Sequence, residues 1–202
     1  MKRRDVLAGA AALAASPAFA QAPAPAAAVR VNVKTAQGLI VLELYPDKAP
    51  ITAGNFLRYV DTRRYDGSTF YRASHAPTDP TIGLVQGGLQ NDPARILKPI
   101  AHESTLTTGL RHKDGTVSLA RRAQGTATSD FFICVGDSSY LDADPKAPGD
   151  NAGFAAFGQV VEGMDVVKTI LTLPTSPTAG GPEMKGEMLK PPVPILTMRR
   201  AP

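Results

Sequence analysis

The sequence predicts a mainly β domain, either an antiparallel barrel or a sandwich. Roughly eight short runs of β-branched, aromatic or alternating apolar residues lie between Gly- and Pro-containing breaks. Only two stretches carry apolar residues at helical spacing. Strands and helices do not alternate, which argues against a parallel sheet. Periodicity leaves barrel and sandwich equally open.

Residues 1–20 read as an export signal. Met1-Lys2-Arg3-Arg4 is a charged start, residues 6–15 are apolar, and Ala18-Phe19-Ala20 is a small-x-small cleavage site. The apolar run is shorter than the ~20 residues that span a bilayer, so stable membrane insertion is not expected. Arg3-Arg4 before Asp5-Val6-Leu7 suits a twin-arginine signal, with the general secretory route as the alternative; either predicts a periplasmic mature protein. Residues 21–28 form an Ala/Pro-rich tether, and residues 29–202 are assigned to one domain.

Within that domain Val29, Val31 and Val33 alternate with polar residues as a half-exposed strand. Gln37-Gly38 turns the chain into a second strand, residues 39–45, with Ile40, Leu42 and Leu44 on one face. Pro50 suits a helix start, where its missing N–H costs nothing, and Ala53, Phe56, Leu57 and Val60 follow at helical spacing. Tyr65-Asp66-Gly67-Ser68 turns into a strand at residues 69–72. Residues 116–120 and 131–135 read as strands joined by a loop of small residues. In the second, Phe131, Ile133 and Val135 share one face, and Phe132 and Cys134 the other. Residues 153–161 form another strand; Met164, Val167 and Leu171 mark a second helix; residues 195–199 form the last strand. Residues 173–192, rich in Pro and Gly, read as a long surface loop.

Composition narrows the function. The formal charge of +4 includes a net +2 from the leader, so the mature chain is too mildly basic for nucleic acid to be an expected partner. The single cysteine, Cys134, cannot form an intrachain disulfide and reads as a buried apolar residue, with a catalytic thiol as the lesser alternative. His75, His102 and His112 beside Ser104, Ser118 or Cys134 raise the question of a hydrolase, but no nucleophile elbow or His-x-x-x-His pattern accompanies them. Asp142-x-Asp144 lacks the closing Glu of a calcium loop, since Gly153 stands there, and this loop reads as solvated. No metal or other cofactor is expected.

Five segments in order resemble the cyclophilins, the peptidyl-prolyl cis/trans isomerases. They are residues 39–50 with Asn55-Phe56; Tyr65-Asp66-Gly67-Ser68-Thr69-Phe70-Tyr71-Arg72; Gln86-Gly87-Gly88; Ala120 through Ser129-Asp130-Phe131-Phe132-Ile133; and Phe157-Gly158-Gln159 with residues 160–164. The resemblance covers nearly all of residues 29–202 and implies a closed eight-stranded antiparallel β-barrel capped by two α-helices. It implies a monomer that acts on proline-containing polypeptides. It makes Arg72 the catalytic arginine and Gln86 its orienting amide. Phe132, Leu141 and Leu84 would line the proline pocket. Ala120 would bind the substrate backbone through its main chain, with Arg121 and Tyr140 on the pocket wall.

This sequence also departs from the family. From Arg72 to Gln86 it is about six residues longer than the commonest spacing; Gly83 falls where a pocket Phe is usual, with Ile82 as the nearest replacement. Arg121 stands where Asn is common, Asp130 where Gln is common and Phe154 where His is common. The opposite charges of Arg121 and Asp130 suggest that they offset each other. Tyr140 stands where many eukaryotic members carry the Trp that grips cyclosporin. A fold that binds Pro-containing segments with little catalysis is the competing reading; the missing Phe supports it and Arg72 opposes it.

Overall fold

The computed structural model describes residues 28–202. The leader at residues 1–20, and the tether as far as residue 27, lie outside the described residues. Strands β1 (Val29–Thr35), β2 (Gly38–Leu44), β3 (Ser68–Ala76), β4 (Asp79–Gly88), β5 (Thr116–Leu119), β6 (Phe131–Val135), β7 (Ala155–Glu162), β8 (Thr175–Ser176) and β9 (Met188–Arg200) form one antiparallel sheet. Its order is β1-β2-β7-β5-β6-β4-β3-β9, and pairing of β1 with β9 closes these eight strands into a barrel. The two-residue β8 is appended to β9. The barrel, not the sandwich, is therefore the fold.

Helix α1 (Pro50–Asp61) begins with its proline at the first turn, and Glu103 accepts from the Ile51 and Thr52 N–H groups at 3.1 and 2.6 Å. A carboxylate there satisfies two donors that have no intrahelical partner. Helix α1 follows the C-terminal end of β2, whereas α3 (Met164–Leu171) sets Val166 against Gly38 at the start of β2. The two helices thus close opposite ends of the barrel. A one-turn helix, α2 (Thr105–Thr108), and a 3₁₀ turn at Ser139–Leu141 join the two expected helices. Inside, Phe56 meets Tyr65, Phe131 and Phe157 at ring-centroid distances of 5.1, 5.3 and 5.1 Å. All four rings are completely buried.

Two segments differ from expectation. The last strand runs from Met188, not from residue 195, so the end of the supposed 173–192 loop is part of the barrel. Pro191, Pro192 and Pro194 hide this strand in the sequence, since proline removes a ladder donor. In the fold the β3 pairing passes from Val193 to Met188 through an irregularity that absorbs the first two. The additional residues after Arg72 lengthen the β3–β4 hairpin, which turns at Pro77-Thr78.

Candidate active site

Residues directly opposite on antiparallel neighbours share a face of the sheet. Arg72 in β3 pairs with Gln86 in β4, Gln86 with Phe132 in β6, and Phe132 with Ser118 in β5. Their neighbours Ala73, Val85, Phe131 and Ile133 belong to the barrel core, so this row lies on the outer face. Arg72 reaches it through a register shift between Phe70 and Arg72. Phe70 points into the core, and Tyr71 is the extra residue of a β-bulge, a device that re-aims side chains.

The polar half of the row is a directed chain of hydrogen bonds. Arg72 Nη1 donates to Gln86 Oε1 at 2.8 Å, and Gln86 Nε2 donates to the Tyr71 hydroxyl at 2.6 Å. That hydroxyl donates to Asp130 Oδ2 at 3.1 Å, while Asp130 Oδ1 accepts from Gln90 N–H at 2.9 Å. The chain fixes the orientation of the Gln86 amide. Burial pushes the Asp130 carboxyl up, against the hydrogen bonds that favour its ionised form. Burial first, and the Asp130 charge second, raise the Tyr71 phenol, so it stays protonated as a donor. On its other side Arg72 Nε donates to Glu187 Oε2 at 2.7 Å. Among the described residues Arg72 Nη2 has no hydrogen-bond acceptor.

The apolar half is a cluster of Leu84, Phe132, Cys134 and Leu141, flanked by Ala120 and Phe154. It is separate from the barrel core, and its members are themselves largely buried, with Leu141 and Phe154 reaching the neighbouring cavity. Gly83 leaves no room for the expected aromatic side chain: a Cβ there would lie 2.0 Å from the Ser74 carbonyl oxygen. Ile82 does not replace it; its side chain lies over Gly136 instead. Phe154 does supply a ring, edge-on to Phe132 at 5.4 Å. The 142–153 loop brings it there, with Phe154 N–H donating to the Leu141 carbonyl at 3.0 Å. Gly153, at φ 65°, makes this return possible, because a Cβ would strike the Ala143 nitrogen at 2.5 Å.

Arg121 and Asp130 do not offset each other. Arg121 bonds Asp150 Oδ1 at 3.0 Å and the Gly153 carbonyl at 2.9 Å, and its guanidinium lies 5.2 Å from the Phe154 ring centre. Asp130 instead ends the Tyr71 chain. Arg121, Tyr140, Leu141 and Phe154 border a cavity of about 490 Å³ beside the apolar cluster. Tyr140 is 72% exposed on the 3₁₀ turn. The Ala120 N–H donates to the Asp130 carbonyl at 2.7 Å. Of the predicted residues, Arg72, Gln86 and Phe132 thus share one strand row, Leu84, Phe132 and Leu141 one apolar cluster flanked by Ala120, and Arg121, Tyr140 and Leu141 the border of the cavity.

Behind Phe132 lies His112, stacked on its ring at 5.9 Å. Its Nδ1 lies 2.7 Å from Asp142 Oδ1 and its Nε2 2.8 Å from Ser118 Oγ. This has the order of a hydrolytic triad, but Ser118 is completely buried and cannot meet a substrate. The bonds tie the turn carrying Leu141 to β5. Asp142 is consequently buried against His112, not solvated as the loop composition suggested. Desolvation lowers the His112 pKa, with Asp142 pulling the other way. Cys134 is also buried, and desolvation raises its thiol to about 12, which makes it inert as a nucleophile at neutral pH.

Sequence reasoning missed Glu187 and Tyr71, and treated Phe154 only as a substitution. Glu187 sits in the segment read as a loop and reaches Arg72 only because β9 pairs with β3. No local signal marks it. Tyr71 had one: it directly precedes Arg72 in the quoted motif.

Residues 29–199 match the family described as Cyclophilin type peptidyl-prolyl cis-trans isomerase/CLD. A peptidyl-prolyl cis-trans isomerase of Acinetobacter baylyi is 36% identical over 170 residues, covering 84% of each chain. Peptidyl-prolyl cis-trans isomerase cyp18 of Streptomyces antibioticus is 38% identical over 154 residues, covering 74% of this chain and 87% of that protein. In fold, the chain resembles a crystal structure of a cyclophilin type peptidyl-prolyl cis-trans isomerase from Cryptosporidium parvum, with a TM-score of 0.64 at 18% identity, covering 87% of this chain and 98% of the other. A second structure of that protein, in the presence of the dipeptide Ala-Pro, gives 0.63 at 18% identity over 86% of this chain and 99% of the other. The matched length, the relatives and the closed barrel agree: this chain belongs to the cyclophilin-type peptidyl-prolyl cis-trans isomerase family.

Proposed function

We propose that the protein accelerates rotation about Xaa-Pro bonds during the folding of exported proteins, by non-covalent stabilisation of the twisted amide through Arg72. Delocalisation of the nitrogen lone pair gives the peptide bond a barrier of roughly 18–20 kcal/mol. Before proline both isomers are populated but exchange over tens of seconds or longer. In the twisted state the prolyl nitrogen becomes pyramidal and basic, so a guanidinium N–H can donate to it. That bond gains strength only at the transition state. The rotation breaks no covalent bond, so it needs no cofactor.

One observation carries this reading: a guanidinium anchored at Nε and Nη1, whose Nη2 has no acceptor among the described residues, on a strand row that continues through Gln86 to Phe132 and its apolar cluster. Phe132, Leu141, Leu84 and Phe154 hold the ring, and the Ala120 carbonyl takes a substrate N–H. Arg121 shapes the wall through Phe154. Closure of the barrel removes most free strand edges, which supports action as a monomer. The test is NMR exchange spectroscopy on an Xaa-Pro peptide: catalytic amounts of protein raise the cis–trans exchange rate. An unchanged rate with stoichiometric protein overturns the proposal. The periplasmic setting rests on residues 1–20. N-terminal sequencing of the protein from a periplasmic fraction should start near Gln21; an intact Met1 in the cytosol refutes export.

A further inference from the structure

We infer that Glu187 is a positioning residue for Arg72: it holds the guanidinium plane so that Nη2 stays aimed at the substrate. The inference rests on the role proposed for Arg72. An arginine side chain has several rotatable bonds, and one hydrogen bond leaves its terminal plane free to swing. Two bonds to separate acceptors fix it. Gln86 supplies the first acceptor, to Nη1, and Glu187 supplies the second, to Nε.

Glu187 is itself held at each end. Its carbonyl accepts from Ala73 N–H at 2.9 Å, and its N–H donates to the Met184 carbonyl at 3.1 Å. Its Oε2 accepts from Arg72, while Oε1 accepts from Ser74 Oγ at 2.8 Å. Arg72 and Ser74 are two apart on β3 and project from the same face. Each carboxylate oxygen thus has its own donor from one strand, which determines the carboxylate plane and through it the guanidinium. The pair is mostly shielded, with the Arg72 side chain 20% and the Glu187 side chain 28% exposed. Glu187 also offsets part of the arginine charge, so its removal strengthens the local positive field while loosening the geometry. Geometry outweighs the charge effect, because a donor displaced by even ~1 Å loses most of its transition-state advantage.

Three variants test this by exchange spectroscopy and peptide titration. Glu187→Ala lowers kcat about tenfold, with peptide affinity within about twofold. Glu187→Gln keeps an oxygen for Arg72 Nε and an amide N–H for Ser74 Oγ, and retains kcat within about threefold of wild type. In an Arg72→Ala background, Glu187→Ala causes no further loss. Independently of activity, the Arg72 Nε–H resonance in ¹H–¹⁵N spectra moves toward free arginine in Glu187→Ala and stays near its wild-type position in Glu187→Gln. A kcat unchanged or raised in Glu187→Ala overturns the inference, as does further loss in the Arg72→Ala background. Wild-type activity in Arg72→Ala alone overturns the role of Arg72 and the inference with it, whereas the Nε–H resonance still reports the ion pair.

Discussion

Truncating Arg72 to alanine removes the guanidinium anchored on Gln86 and Glu187, and with it the Nη2 donor proposed to meet the prolyl nitrogen. A hydrogen bond to a charged group contributes about 1.5–3 kcal/mol. If it forms only with the twisted amide, the loss falls on kcat as a roughly 10- to 150-fold decrease. Peptide affinity should fall no more than about threefold, since the apolar cluster of Phe132, Leu84 and Leu141, the proposed seat of the prolyl ring, is left intact. The fold should survive. Gln86 keeps its bond to Tyr71 and Glu187 its bond to Ser74, so each former partner of Arg72 retains a hydrogen bond. Arg72→Lys should recover little, because one ammonium cannot reach Gln86 and Glu187 and still present a fixed third donor. Exchange spectroscopy at saturating peptide gives the rate, and chemical-shift titration gives the affinity. Equal losses of rate and affinity in Arg72→Ala would refute the assignment, since they would make the contact a ground-state one.

Phe132→Ala should weaken peptide binding and stability together, by about 3–5 kcal/mol in stability, because the ring is buried and stacks on His112; an unchanged denaturant midpoint, or lost stability with intact affinity, would contradict this. Tyr140→Trp should strengthen cyclosporin binding without a comparable change in isomerisation rate, because the matching Trp of sensitive members donates an indole N–H that a shorter phenol does not place alike; calorimetry of both forms decides it, and nanomolar binding by the unmodified protein would refute the role of Tyr140. His112 is held neutral by burial, so the unfolded chain binds its proton more readily than the folded one. Stability should therefore fall as pH drops below 6.5, and His112→Gln should lack that component. Thermal melts at pH 7 and pH 5 test it, and parallel losses in the two proteins would exclude His112 as the source.

Local chemistry made much of this molecule readable from sequence. Alternation sorts Phe131, Ile133 and Val135 from Phe132 and Cys134, and the structure places the first set in the core and the second in the outer cluster. Pro50 and the spacing of Ala53, Phe56, Leu57 and Val60 specify α1. In each case the signal lies within a few residues of what it determines. Strand β9 extends beyond the alternating pattern at residues 195–199, because prolines suppress a strand pattern without forbidding a strand whose pairing is irregular at those positions.

By itself the sequence determined the antiparallel β character, the two principal helices and, through its resemblance, the positions of Arg72, Gln86 and Phe132. Tertiary structure alone decided who faces them. Glu187 reaches Arg72 across a strand pair 115 residues apart in sequence. Asp150 rather than Asp130 takes Arg121, and Phe154 replaces an aromatic ring that the Ser74 carbonyl shuts out at Gly83. Charge and ring partners are chosen by distance in space, and barrel closure sets those distances through registers between strands remote in the chain.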